Sequence, residues 1–137
     1  MFGNFFFKDT NKYQSTPERV LDAFDIHLQI GFKIESSYKK RTADPKALQQ
    51  TIDYCLQQIN IAEEAKDVWI KEQKLLGLDP HLLPFHKGYT QLCTILEKQK
   101  RFDELIKLAT QAREQGWRGD WDKRIQRAEI KVNKIKQ

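Results

Sequence analysis

The fold is decided by residues 89–117, which read YTQLCTILEKQKRFDELIKLATQAREQGW. Each half of this stretch repeats apolar side chains at steps of three and four residues. That spacing keeps the apolar groups on one face of an α-helix. A short charged run separates the halves, and Gly116 follows the second half as a helix stop. Two helices are therefore predicted, at about 85–99 and 102–115.

A first long helix is predicted nearer the N-terminus. Ser15 or Thr16 can serve as its N-cap, and Pro17 suits the first helical position, where the N–H that proline lacks would be unpaired. Apolar residues then recur at helical spacing, and the helix should run to about Arg41. These residues are Val20, Leu21, Phe24, Leu28, Ile30, Ile34 and Tyr38.

A second long helix is predicted after Asp44-Pro45. Its apolar residues, from Leu48 to Trp69, also lie three and four apart, and it should run to residue 75 or 76. About 30 residues is long for a globular helix, so a break near 62–65 is the alternative. Gly77 fits a left-handed C-terminal cap.

The last predicted helix follows a glycine-rich junction, with Asp120 as its expected N-cap. It ends near residue 135. Its apolar stripe consists of Trp121, Ile125, Ala128, Val132 and Ile135. The sequence thus predicts five helices in antiparallel succession.

Composition places the chain among compact all-α proteins. It has 137 residues, of which 39% are hydrophobic and 31% charged, and strand-like alternation of Val and Ile is nearly absent. No apolar run approaches the roughly 20 residues of a membrane span, and residues 1–11 do not read as a secretory signal. A cytoplasmic protein with no membrane contact is expected. Cys55 and Cys93 are expected to be reduced core thiols, with a disulfide or a reactive thiol as the alternative.

Residues 89–117 contain the motif Tyr89-x2-Leu92-Cys93-x2-Leu96, then Phe102 after the charged turn, and then Leu105-x3-Ala109-x2-Ala112. This motif resembles the tetratricopeptide repeat, a helix-turn-helix unit of about 34 residues. Three positions depart from the pattern: leucine at 105 replaces a small residue, alanine at 109 replaces an aromatic, and tryptophan at 117 replaces the closing proline.

The first helix pair fits the same pattern more loosely. His27-x2-Ile30-Gly31 corresponds to the first helix of the repeat and Thr51-x3-Cys55 to the second. Eight extra residues between them amount to about one turn added to each helix, which keeps the pairing in register. Gly31 would cost roughly 1 kcal/mol in mid-helix, and a close helix–helix crossing gives it a reason.

The resemblance implies a single domain over 1–137 with about two degenerate repeats. An N-terminal arm covers 1–15, the first long helix pair 16–76, the second pair 85–116 and a capping helix 120–136. The ending Gly116-Trp117-x-Gly119-Asp120-Trp121 is also similar to that of a group of small bacterial helical proteins. A generic helical hairpin bundle is the alternative.

The sequence favours a non-enzymatic protein. No P-loop, nucleophile elbow or zinc-protease motif is present. His81 and His86 flank Pro84 without a third ligand at metal spacing, and His27 sits among apolar neighbours. A solvated or capping role is expected for the first two histidines and packing at the edge of the core for His27. No metal and no cofactor are predicted.

As a tetratricopeptide-like scaffold, the chain is expected to bind a peptide or protein segment in a helical groove. Two repeats are few for such an array, so self-association, as a homodimer for example, is also expected. The predicted groove residues are Asp25, Gln29, Phe32, Glu35, Lys87, Gln91, Thr94 and Lys98.

The main alternative is binding of nucleic acid or of an acidic partner through the last helix. The net charge is +5, and residues 117–137 carry seven basic and three acidic side chains. A basic stripe at helical spacing can hold phosphates or carboxylates, or it can be a solvated helix face. The stripe consists of Arg124, Arg127, Lys131 and Lys134.

Two aromatic groups have open roles. Trp117 and Trp121 are expected to pack the last helix onto the body, with stacking on a base or a peptide as the alternative. The phenylalanines at 2, 5, 6 and 7 are expected to be buried against the same chain or in a dimer, with insertion into another partner and, least favoured, membrane contact as the alternatives.

Overall fold

The structure, a computed structural model, describes residues 20–137. This part of the chain consists of six α-helices and contains no strand, which confirms the all-α prediction. The predicted N-caps at 15 and 16 and the N-terminal phenylalanines lie outside the described residues. The helices are α1 (Ala23–Lys39), α2 (Ala47–Asn60), α3 (Ala62–Leu75), α4 (Lys87–Lys98), α5 (Phe102–Gln115) and α6 (Trp121–Lys136).

Helix α1 begins later than predicted. Val20 and Leu21 are not helical, and Asp22 is the N-cap. The Asp22 carboxylate accepts the Asp25 N–H at 2.9 Å, and the Asp25 carboxylate accepts the Asp22 N–H at 3.0 Å. This reciprocal capping box satisfies two N–H groups at the helix start, so the chain enters the helix here.

The second long helix is divided at Ile61 into α2 and α3. The predicted alternative of a break therefore describes the chain better than one continuous helix. After the break α3 packs against α1, where the rings of Phe24 and Trp69 lie 5.3 Å apart. The predicted cap at Gly77 is confirmed, since its φ is +71° and its N–H donates to the Lys74 carbonyl.

The hairpins have the predicted antiparallel order. Helices α1 and α2 pack against each other, as do α4 and α5 and also α5 and α6, while α4 packs against α2 as well. Helices α1 and α4 run parallel: the rings of His27 and His86, near their starts, are 5.0 Å apart, and Lys98 near the end of α4 donates to the Tyr38 hydroxyl at 3.1 Å. The arrangement is a six-helix bundle compatible with a helical-repeat fold.

Helix α6 runs parallel to α4 as well. Arg124 on α6 donates to Thr94 on α4, and Arg127, three residues later, donates to Glu97, three residues after Thr94. The two helices therefore point in the same direction. Helices α1, α4 and α6 thus line one surface, here called the three-helix face. Helices α2 and α5 lie behind it.

Gln58 joins three helices at the centre of the bundle. It is only 1% exposed. Its Nε2 donates to the His27 carbonyl on α1 at 2.8 Å, and its Oε1 accepts the Gly88 N–H on α4 at 2.6 Å. A Cβ at Gly31 would lie 3.3 Å from this amide, and one at Gly88 would lie 2.8 Å from it. The close crossing predicted at Gly31 is therefore present, and the glycines leave room for the amide.

We expect Gln58→Leu to lower the free energy of unfolding by about 2–3 kcal/mol, because the buried Gly88 N–H would lose its acceptor. Urea denaturation measures the change. Gln57→Leu, at the exposed neighbouring position, is the matched control and should change stability by less than about 0.5 kcal/mol. Equal losses in both variants would contradict the role of the amide.

At Lys100, by contrast, a substitution is expected to stabilise the fold. It follows α4 with a φ of +61°, and its N–H donates to the Glu97 carbonyl in the geometry that glycine supplies after α3 and α5. Lys100→Gly should raise the free energy of unfolding by about 1 kcal/mol, because glycine adopts this conformation without strain. Gln99→Gly, where φ is −83°, should give no gain. A stabilised Gln99→Gly would refute the conformational explanation.

Candidate functional site

The three-helix face has a cavity of about 220 Å³ between α1 and α4, here called the α1–α4 pocket. Its walls are exposed apolar side chains: Phe32 is 72% exposed, Phe85 63% and Leu28 48%. Glu35 and Lys87 supply the charges at its edge. Exposed aromatic groups around a concave site are typical of binding surfaces rather than of a solvated helix face. The full lining is His27, Leu28, Gly31, Phe32, Glu35, Gln58, Phe85 and Lys87.

The floor of the α1–α4 pocket rests on a buried aromatic cluster. His27 stacks on Trp117 with ring centroids 5.6 Å apart, and His86 meets the edge of Trp117 at 4.7 Å. Trp117 and Trp121 are both buried, so their predicted role in packing is confirmed. The cluster ties the connection between α5 and α6 to the starts of α1 and α4. The elements that line the pocket are therefore fixed relative to one another by buried contacts.

Phe85 is positioned by the same connection. The Arg118 N–H donates to the Pro84 carbonyl at 3.2 Å, which makes a short bridge between the segments before α4 and before α6. The Arg118 guanidinium lies 5.3 Å from the centre of the Phe85 ring. A cation over an aromatic face stabilises the ring's position at the edge of the pocket.

Both buried histidines are uncharged at neutral pH. Burial lowers the pKa of His27 to about 4 and that of His86 to about 3, where the nearby His27 lowers it further. The Nδ1 of His86 accepts the Tyr89 N–H at 3.1 Å and so caps α4, as predicted. Nδ1 of His27 and Nε2 of His86 make no well-formed hydrogen bond within the described structure. The backbone carbonyl of Gln58, near His86, partly opposes the lowering of the His86 pKa.

The structure divides the predicted groove residues between two places. Phe32, Glu35 and Lys87 line the α1–α4 pocket. Thr94 and Lys98 line a second cavity of about 440 Å³, the α4–α6 pocket, together with Glu97, Lys100, Phe102 and Lys131.

The remaining three groove residues line neither pocket. Asp25 belongs to the capping box of α1, Gln29 is exposed and Gln91 is 9% exposed. The contribution of these three to any groove therefore stays a prediction.

Two of the four side chains of the basic stripe form ion pairs with carboxylates of the same chain. Arg127 donates to both carboxylate oxygens of Glu97, at 3.0 and 3.1 Å, and this lowers the pKa of Glu97. Arg124 donates to the Asp120 carboxylate at 2.8 Å. Lys131 lines the α4–α6 pocket, and Lys134 is exposed on the last turns of α6.

The cysteines have the environment predicted for core thiols. Both are free and buried, and burial raises the pKa of Cys55 to about 12 and that of Cys93 to about 11. Such thiols carry almost no thiolate at neutral pH, so they are poor nucleophiles. Within residues 20–137, no group of three or more His, Cys, Asp or Glu side chains is placed to hold a metal ion. No helix in that range has the length and apolar character to cross a bilayer.

Comparison of the chain with protein-family models, with curated proteins and with solved structures found no match.

Sequence reasoning missed the cluster of His27, His86 and Trp117. The three residues are far apart in the chain, and no spacing signals that their rings meet. Gln58 was also missed, although a glutamine in line with the apolar positions of α2 is a readable signal of a buried polar bridge. Phe85 gave no signal because its exposure depends on the bridge to the segment before α6.

Stability should fall as the pH drops from about 6.5 to about 5, by up to about 1.4 kcal/mol per pH unit for each buried histidine. The sign follows from the lowered pKa values: in this range the unfolded chain binds protons that folded His27 and His86 exclude. Urea denaturation at several pH values measures the slope. His86→Asn keeps a capping oxygen and should reduce the slope by about half, because His27 remains, whereas His81→Asn, at an exposed position, should leave the slope unchanged. An unchanged slope in both variants would contradict the assignment.

Proposed function

We propose that the protein is a non-enzymatic, tetratricopeptide-like interaction module that binds a peptide or protein segment on the three-helix face. The observation that supports this proposal most directly is the α1–α4 pocket, where Phe32, Phe85 and Leu28 are exposed around a concave site. A polar solvated face would have no reason to expose three large apolar groups at one place. A cytoplasmic location and self-association through the same face belong to the proposal.

The helix order supports the tetratricopeptide-like interpretation. Helices α1 and α2 form the first hairpin and α4 and α5 the second, with α6 following as the capping helix. The first helices of the two hairpins run parallel and side by side, as expected when such units stack. Helix α3 is an addition to that pattern. It packs against α1 and also contacts the second hairpin, where Lys66 donates to the Gln115 carbonyl at the end of α5 at 3.0 Å.

The size of the α1–α4 pocket fits one anchor side chain. A dry cavity of about 150 Å³ holds one benzene ring, so a site of about 220 Å³ admits a single aromatic or large aliphatic group. Binding of one buried anchor is a common way for a groove to hold an extended segment.

The basic stripe gives the second candidate function, binding of nucleic acid. Lys131 and Lys134 are its exposed members. Arg124 and Arg127 already pair with Asp120 and Glu97, so a phosphate backbone would have to displace these carboxylates. For this reason the pocket is the better-supported site.

Selection of a random dodecapeptide library on the immobilised full-length protein tests the proposal. We expect enrichment of peptides with an aromatic or large aliphatic residue, and we expect Phe32→Glu to weaken their binding by at least about tenfold. Leu75→Glu is the matched control, because Leu75 is an equally apolar helix position, 87% exposed, that lines neither pocket. Fluorescence anisotropy measures the affinities, and circular dichroism checks that both variants fold.

Failure to enrich any peptide would contradict the proposed function. Equal loss of binding in Phe32→Glu and Leu75→Glu would contradict the assignment of the site.

A further inference from the structure

The three-helix face is chemically divided along its length. Its apolar end is the α1–α4 pocket. Its other end is the α4–α6 pocket, whose rim carries three lysines and one carboxylate: Lys98, Lys100, Lys131 and Glu97. Any segment that lies along α4 from the first pocket meets the lysines at the second.

The positive charge of the α4–α6 pocket is not neutralised within the described chain. Glu97, its one carboxylate, is held by both Nε and a terminal nitrogen of Arg127. Lys98 donates to the Tyr38 hydroxyl rather than to a carboxylate, so its ammonium charge stays in place. None of the three lysines forms an ion pair with a residue in the range 20–137. The pocket therefore presents a local excess of cations to a partner.

The two pockets are spaced for one extended segment. Lys87 at the first and Lys98 at the second are the first and last residues of α4 and lie on nearly the same face, since eleven positions make about three helical turns. At about 1.5 Å per residue they are roughly 16 Å apart along the axis. An extended peptide covers that distance in about five residues.

We propose that the partner is an acidic peptide segment. Its aromatic or large aliphatic side chain fills the α1–α4 pocket, and carboxylates about five residues away lie on Lys98, Lys100 and Lys131. This inference rests on the proposed function and adds the charge and the spacing of the ligand. The apolar anchor supplies buried area, and the carboxylates fix the position of the segment and speed its association.

The same dodecapeptide selection tests the ligand's chemistry. Enriched peptides should carry Asp or Glu about five residues from the aromatic or aliphatic anchor. The tightest of them should bind about tenfold more weakly when those acidic residues are replaced by Asn or Gln, and more weakly at about 0.5 M than at about 0.05 M salt. Enriched peptides that are neutral or basic at those positions would overturn the inference while leaving the proposed function standing.

Charge exchange provides the decisive variant. Lys98→Glu with Lys131→Glu should weaken binding of the acidic peptide about tenfold and should restore binding to the same peptide with Lys in place of its acidic residues. Lys71→Glu with Lys107→Glu makes the same change of net charge at exposed positions outside both pockets. Equal weakening by the two double variants, or no rescue by the lysine peptide, would refute the site.

A labelled single-stranded RNA serves as the competing probe. We expect it to leave the acidic peptide bound at about 0.15 M salt. Displacement of the peptide by RNA, with RNA binding lost in Lys98→Glu with Lys131→Glu, would overturn the inference in favour of nucleic acid.

Discussion

Gln58 occupies a position where an amphipathic helix ordinarily carries an apolar side chain, and three helices meet at its amide. Its two hydrogen bonds, to the His27 carbonyl and the Gly88 N–H, use one donor and one acceptor of a group that is costly to bury without partners. Only a fixed separation of α1, α2 and α4 satisfies both bonds. An apolar contact would tolerate sliding of the helices, whereas this one does not.

The position of the α1–α4 pocket follows from that bridge. Gly31 and Gln58 are part of its lining, and Gly88 follows Lys87, another lining residue, in the first turn of α4. The buried rings of His27, His86 and Trp117 then fix the segments that carry Phe85. The proposed binding surface is therefore built on elements that are already fixed, and a preorganised surface loses less entropy on binding.

The sequence predicted most of the fold, because apolar spacing and helix stops are local signals. The bounds of α5, the left-handed end after α3 and the close approach at Gly31 could all be read from a few neighbouring residues. The prediction of a helix that is continuous through Val20 and Leu21 was wrong, because the chain enters α1 only at the Asp22–Asp25 capping box. The site was less predictable. Its members come from α1, α2, the segment before α4 and the first residue of α4, and only the packing of these elements brings them together.

Charge illustrates the same limit. The sequence places most of the net charge in residues 117–137, but it does not show how that charge is used. In the structure the stripe has two parts with different neighbours. Arg127 pairs with Glu97 on α4 and fastens α6 to the bundle, and Arg124 pairs with Asp120 at the start of its own helix, while Lys131 lines the open α4–α6 pocket. The basic residues near the start of α6 thus pair with carboxylates of the same chain, and those further along the helix leave a cationic surface.

The break at Ile61 also determines how the two halves of the bundle are joined. Helix α3 contacts α1 where Trp69 packs on Phe24, and the same indole donates to the Leu82 carbonyl before α4 at 3.2 Å. Lys66 donates to the carbonyl of the last residue of α5 at 3.0 Å. One short helix thus contacts the first helix pair and the elements that follow it, so α4 and α5 cannot move away from α1 without breaking contacts of α3. A segment from the middle of the chain therefore acts as a cross-link between the two halves of the bundle.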